Sequence, residues 1–160
     1  MSQGFTSKPV CGGSLAPRQP RDRKQVVRRL LSLLDGIRGA CVISDAVVGE
    51  VALAAPETAA VLSREIQQAR PVVYAVTEAV KALALAYLAA GVVPERRELD
   101  ALHVAAATCF AADYLVSWNH RHMTRPLKRT QYEAVNRLNG YLQTPFICNP
   151  VEACDELRGR

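Results

Sequence analysis

The sequence has 160 residues, of which 49% are hydrophobic, 22% charged and 6% aromatic. This length suits one compact domain, and the composition is typical of a folded globular protein rather than a disordered one. Charged residues interrupt the longest apolar stretches, and the N-terminus lacks the apolar core of a signal peptide, so we expect neither a membrane span nor secretion. The five cysteines form no Cys-x-x-Cys pair, which argues against a disulfide framework or a zinc knuckle and favours a cytoplasmic protein.

The formal net charge of +5 is unevenly distributed along the chain. Residues 1–40 carry eight Lys and Arg against two Asp, and residues 41–100 carry five against eight acids. Residues 101–160 are basic again, with seven Lys and Arg against five Asp and Glu. Basic segments attract phosphate backbones, and an acidic cluster can hold cations. A metal-dependent nuclease has this pattern, and so has an ordinary solvated surface with uneven charge.

Residues 1–20, which contain several Gly and Pro, are predicted to be an unstructured tail, residues 21–152 one domain, and residues 153–160 a C-terminal tail. Helical periodicity predicts helices over 22–34, 45–53, 57–68, 78–90, 99–112 and 131–138. Short β-branched and apolar runs predict strands over 41–44, 114–118 and 145–148, and the run 71–76 predicts either a strand or an extended linker. Thr77 is the expected N-cap of the fourth helix, and Asn149 with Pro150 is expected to form a turn. This alternation of helices and strands predicts an α/β architecture with a parallel sheet.

Three polar residues lie where a predicted strand ends or a predicted helix begins. Glu50 follows the strand that ends at Ser44, Asp100 opens the apolar helix, and Asn119 directly follows the third strand. Ligand sites of open α/β sheets gather beyond the carboxyl ends of strands, where a divalent cation would relieve repulsion between carboxylates. Acidic residues near helix N-termini also simply stabilise the helix dipole, so the spacing alone fits both interpretations.

Several segments resemble PIN-domain proteins, and most of all their VapC-type toxin branch. The stretch LDALHVAAA (99–107), the stretch ADYLVSWN (112–119) and His122 resemble the C-terminal half of that family. Ser44 followed six positions later by Glu50 resembles the earlier family segment. The residues around Asn136 and the segment 140–150 fit the family's last helix and strand, so the resemblance covers about residues 21–152.

The resemblance implies a three-layer α/β/α PIN-like fold and Mg²⁺- or Mn²⁺-dependent hydrolysis of RNA phosphodiester bonds. By it, Glu50 and Asp100 would correspond to two metal-binding acids, and Asn119 to the last position of the site. It further implies RNA as substrate, a small antitoxin protein as partner, and a homodimer as the expected assembly. Ser117 resembles a small hydroxyl residue near the metal cluster.

One departure from the family concerns its first strand, which ends in an Asp of the motif. No such strand is found before the first predicted helix, because Val10 and Cys11 form too short an apolar run beside Pro9. Either the natural strand has been lost from the given start, or the chain is a degenerate member. The alternatives to an active ribonuclease are therefore a catalytically inactive PIN-like module that binds RNA or an antitoxin, and an unrelated α/β module.

Other polar residues near the predicted site have two interpretations each. Arg121, Arg125, Lys128 and Arg129 adjoin Asn119 in a basic loop, which would either bind the RNA backbone or remain solvated. His103 would either touch the metal or be a hydrogen-bonded helix residue, and the second interpretation is favoured. The pair His120 and His122 has no partner at zinc-ligand spacing.

Overall fold

The chain forms seven helices and four short strands in the residues that the computed structural model describes, which are 20–35, 41–118, 123 and 126–159. In chain order these elements are α1 (Pro20–Leu34), β1 (Val42–Ser44), α2 (Asp45–Leu53), α3 (Pro56–Ala69), β2 (Val72–Tyr74), α4 (Glu78–Ala89), α5 (Glu98–Cys109), β3 (Tyr114–Val116), α6 (Pro126–Leu138), β4 (Phe146–Cys148) and α7 (Pro150–Arg158). The prediction of a mixed α/β fold is confirmed, and most of the described residues are helical.

The strands pair in parallel, as the alternation of elements predicts. β1 pairs with β2, with Ser44 opposite Tyr74, and β3 pairs with β4, with Val116 opposite Cys148. Within the described residues these are two separate two-stranded sheets, and no strand pairs between them. Because a two-stranded sheet is marginally stable by itself, each pair depends on the helices packed around it.

The main hydrophobic core lies between α4, α5 and α6. Thr77 caps α4 as predicted, since its side chain accepts a hydrogen bond from the Val80 backbone N–H at 3.4 Å. Val80, Tyr87 and Val104 are fully buried in this core. The Tyr87 ring meets the Tyr132 ring of α6 edge to face, with the ring centroids 5.0 Å apart. This core therefore fixes the position of α5, which carries Asp100.

A buried polar network joins the same three helices. The Tyr87 hydroxyl donates to Asn136 Oδ1 and lies 3.3 Å from Thr108 Oγ1. The Asn136 amide donates in turn to Thr144 Oγ1 at 2.8 Å. Because Asn136 is completely buried, these hydrogen bonds replace the water that its amide would otherwise bind.

A second, smaller cluster joins the two ends of the described chain. Leu30 of α1 is buried against Cys148, Ala153 and Cys154. Residues 153–158 are therefore not the predicted C-terminal tail, because they form most of α7 and contribute two buried side chains. The predicted Asn149–Pro150 turn is the start of this helix: Asn149 Oδ1 accepts from two backbone N–H groups, and Glu152 completes the capping box.

Two further element boundaries differ from the prediction. α5 ends at Cys109, three residues early, because Ala111 adopts a left-handed conformation with φ of 52°. α6 begins at Pro126, so Lys128 and Arg129 belong to a helix rather than to the predicted basic loop. Pro126 suits this start, since proline is favoured in the first turn of a helix. Residues 1–19 of the predicted tail lie outside the described part of the chain.

Among the described residues, no helix combines the length and the apolar character that crossing a membrane requires.

Candidate functional site

Helix α2 positions Glu50. It starts directly after β1, with the buried Ser44 as its N-cap residue. Asp45, the first residue of α2, accepts a hydrogen bond from the Val76 backbone N–H at 2.9 Å and so ties the helix start to the segment after β2. Glu50 follows on the second turn, and its Oε2 lies 3.0 Å from His103 Nε2 on α5. The carboxylate of Glu50 thus reaches across from α2 to α5.

Helix α5 presents three polar residues at a spacing of three. Arg97 directly precedes the helix, Asp100 lies in its first turn, and His103 follows one turn later. Residues three apart are neighbours on one helix face. The Arg97 guanidinium Nη1 lies 3.2 Å from Asp100 Oδ2, and the Asp100 side chain is only 12% exposed. We use the name charge array for four residues: Glu50, Arg97, Asp100 and His103.

The structure brings the surroundings of the two predicted acids together. Glu50 contacts His103, which stands one helical turn after Asp100, so this α2–α5 junction places Glu50 beside the helix that carries Asp100. The third predicted residue, Asn119, lies outside the described residues, as do His120 and His122. Ser117 is half-buried just beyond β3. The histidine at 103 makes a side-chain contact, as the favoured interpretation of a hydrogen-bonded helix residue predicts.

The donor chemistry of the charge array suits a hard divalent cation. Glu50 and Asp100 offer carboxylate oxygens, and Mg²⁺ commonly takes one or two protein carboxylates while keeping several waters. A fully protein-ligated site is a different matter: within the described ranges, no group of three or more His, Cys, Asp and Glu side chains is arranged to hold an ion. Glu50, Asp100 and His103 thus do not converge as three ligands of one ion in the described part of the chain.

The predicted basic residues are engaged within the protein where the structure describes them. The Lys128 ammonium donates to the backbone carbonyl of Val92. Arg129 pairs with Glu133 at 3.0 Å, and its guanidinium lies 5.8 Å from the centroid of the Phe146 ring. Each cation has an internal partner, so RNA would have to compete with these contacts or share them. Arg121 and Arg125 lie outside the described residues.

Arg129 also lines a polar cavity of about 310 Å³ at the start of β3. Asp113, Glu133 and Arg137 are among its other lining residues. Two acids face two arginines there, so the charges of the cavity balance. This balance gives the cavity no preference for an anionic ligand such as phosphate.

Sequence reasoning missed Arg97. Its position three residues before Asp100 was the available signal, because residues at this spacing share a helix face. The helical pattern does not single it out, because Arg97 precedes the predicted apolar periodicity and lies in a polar turn. The contact between Glu50 and His103 had no local signal, since it joins two helices 53 positions apart in the sequence.

Comparison of the chain with protein-family models, with curated proteins and with solved structures finds no match.

Proposed function

We propose that this chain is a PIN-like ribonuclease of the VapC toxin type, which hydrolyses RNA phosphodiester bonds with a divalent metal ion. The contact between Glu50 and His103 supports this proposal most, because it joins the acid of α2 to the face of α5 that carries Asp100. The resemblance of the sequence to PIN-domain proteins requires these two acids to act together.

In this proposal Glu50 and Asp100 hold Mg²⁺ or Mn²⁺, with Asn119 as the third position. The bound ion would supply an activated water and stabilise charge that develops on the phosphate. The protein's own residues orient the carboxylates: His103 holds Glu50 by a side-chain contact of 3.0 Å, and Arg97 holds Asp100 at 3.2 Å. Fixed orientation lowers the entropy cost of assembling the site.

The remaining parts of the proposal also derive from the resemblance. RNA would approach along Arg121, Arg125, Lys128 and Arg129, which would contact its phosphates without reading the bases. A small antitoxin protein would silence the enzyme, a homodimer is the expected assembly, and the protein would act in the cytoplasm.

A second candidate function is a catalytically inactive PIN-like module that binds RNA or an antitoxin. The charge array favours it in one respect, because Asp100 pairs with Arg97 and Glu50 contacts His103. The Arg97 guanidinium neutralises negative charge on Asp100 that would otherwise attract a metal ion.

Cleavage of a single-stranded RNA in Mg²⁺ or Mn²⁺ tests the proposal. Glu50→Gln and Asp100→Asn should each lower the cleavage rate about 100-fold or more, because each removes one charged oxygen ligand. Glu57→Gln is the matched control, since Glu57 is an exposed acid in the first turn of α3. Equal rates for all four proteins would indicate a contaminating nuclease and refute the proposal. RNA binding without any cleavage by the unsubstituted protein would favour the second candidate.

A further inference from the structure

The polar cavity at the start of β3 has two charged lining residues whose side chains form no ion pair. Asp113 directly precedes β3, and Arg137 lies in the last turn of α6. Both are exposed, and in the described part of the chain neither forms a salt bridge. Arg129 and Glu133 also line the cavity, but they neutralise each other at 3.0 Å. One carboxylate and one guanidinium are therefore available to a ligand.

The loop that forms part of the cavity wall is held in place by Asn136, which is completely buried. The Asn136 amide donates to Thr144 Oγ1 at 2.8 Å and to the Gln143 backbone carbonyl at 3.4 Å. Both of these residues line the cavity. The Phe146 backbone N–H donates to the Asp113 carbonyl at 2.8 Å and so fixes the backbone of Asp113 to the start of β4. Because the protein's own groups make these bonds, a ligand meets a preformed cavity and binding costs less conformational entropy.

The charges of the cavity favour a ligand that carries both signs. The Arg137 guanidinium can donate two parallel hydrogen bonds to a carboxylate, and the Asp113 carboxylate can accept from an ammonium group. A ligand of one sign satisfies only one of these residues and meets like charge at the other. Leu142, whose side chain is 90% exposed, and Ala112 are the apolar lining residues, and they offer a contact to an aliphatic group.

We propose that this cavity binds a free α-amino acid with an aliphatic side chain. Arg137 binds its carboxylate, Asp113 binds its ammonium group, and Leu142 packs against its side chain. The volume of about 310 Å³ lies at the lower end of the range for small-molecule sites, which suits a ligand of this size. The inference goes beyond the proposed ribonuclease function, because the cavity lies at the start of β3, whereas Asn119 follows the end of that strand in the sequence.

The first experiment compares three compounds that differ only in their charged groups. L-leucine carries both charges, 3-methylbutylamine lacks the carboxylate, and 4-methylpentanoate lacks the ammonium group. Their affinities for the unsubstituted full chain are measured from amide chemical shifts in nuclear magnetic resonance titrations. L-leucine should bind about tenfold more tightly than either of the others, because only it forms both charged contacts.

Two further compounds distinguish a free amino acid from the end of a peptide. N-acetyl-L-leucine represents a peptide C-terminus, and L-leucinamide represents an N-terminus. Each should bind about tenfold more weakly than L-leucine, because each retains only one of the two charges. If N-acetyl-L-leucine binds as tightly as L-leucine, the cavity recognises a peptide carboxylate and the proposal is wrong.

The second experiment assigns each charge of the ligand to one side chain. Arg137→Gln and Asp113→Asn should each weaken L-leucine binding about tenfold. Arg96→Gln and Glu57→Gln are the controls, since they remove the same charges at exposed positions of the 3-10 turn Glu95–Arg97 and of α3, and should change the affinity by less than about twofold. Arg137→Gln should bind 3-methylbutylamine no more weakly than the unsubstituted protein, because this compound has no carboxylate. Circular dichroism checks that every variant is folded.

Each remaining outcome also has a definite meaning. The proposal is refuted if L-leucine causes no chemical-shift change, or if the three compounds bind equally. It is also refuted if Arg137→Gln and Asp113→Asn bind L-leucine as tightly as their controls, because the amino acid then binds elsewhere. None of these results bears on RNA cleavage, so the ribonuclease proposal stands or falls separately.

Discussion

Replacement of Tyr87 by phenylalanine tests the buried polar network between α4, α5 and α6. The change removes the hydroxyl that donates to Asn136 Oδ1 and leaves that oxygen without its donor in a fully buried position. Leaving a buried acceptor without its hydrogen-bond donor lowers the stability of the folded state by about 1–3 kcal/mol. We therefore expect Tyr87→Phe to lower the free energy of unfolding by about 2 kcal/mol at neutral pH, measured by urea denaturation with circular dichroism.

The same variant has an expected pH dependence. Burial raises the pKa of Tyr87 from 10.0 to about 12, so the folded chain keeps the phenol proton after the unfolded chain has lost it. The stability that Tyr87 contributes is complete below about pH 10 and is lost as the pH rises towards 12. Within this window, each further pH unit lowers the free energy of unfolding by at most about 1.4 kcal/mol. The stability difference between the unsubstituted protein and Tyr87→Phe should shrink by about 1 kcal/mol between pH 10 and pH 11, because the unfolded phenol is only half ionised at pH 10.

Tyr74→Phe is the control for both measurements. Tyr74 is 42% exposed, and its ring stacks on the Phe110 ring at 4.6 Å, a contact that phenylalanine retains. This variant should change the free energy of unfolding by less than about 0.5 kcal/mol. A loss for Tyr87→Phe as small as that of the control, or a stability difference that does not change with pH, would refute the reasoning.

Two further predictions concern the cluster of α1 and α7. Leu30→Ala should lower the free energy of unfolding by about 2–4 kcal/mol in urea denaturation, because it opens a cavity against Cys154. Leu53→Ala is the control and should have little effect on this free energy, because the Leu53 side chain is 90% exposed. Asn149→Ala removes the capping box of α7 and should lower the free energy of unfolding by about 1 kcal/mol in the same assay. No change in this free energy would mean that packing alone holds α7 in place.

Much of the fold could be predicted because its elements depend on local signals. α2 was predicted with the observed bounds, and Thr77 was correctly identified as the cap of α4. The prediction of a turn at residues 149–150 failed because one local sequence signal is compatible with two structures. Asn149 followed by Pro150 is typical of a turn, but the same dipeptide is also an N-cap followed by the proline that favours a first helical turn. The burial of Ala153 and Cys154 against α1 favours the helix over the turn. This packing joins distant parts of the chain, so no local sequence pattern predicts it.

The candidate site was predictable only in part for the same reason. Glu50 and Asp100 were identified from their places after a strand and at a helix start, and by resemblance. The contact of Glu50 with His103 and the contact of Asp100 with Arg97 were not predicted. The first pair depends on how α2 meets α5, which is a property of packing. The second contact joins residues three apart at the start of α5, a spacing that the sequence already contains.

The separation of the two strand pairs has a mechanical consequence for the α2–α5 junction. Glu50 follows β1 in one half, and Asp100 lies on the helix that leads into β3 in the other. In the described part of the chain, no ladder of main-chain hydrogen bonds crosses between these halves, so side-chain packing and a few polar contacts carry their alignment. A small rigid-body shift could widen or narrow the gap between the two carboxylates while both ladders stay intact. The alignment of Glu50 with α5 thus depends on side-chain contacts such as that with His103 rather than on a shared sheet.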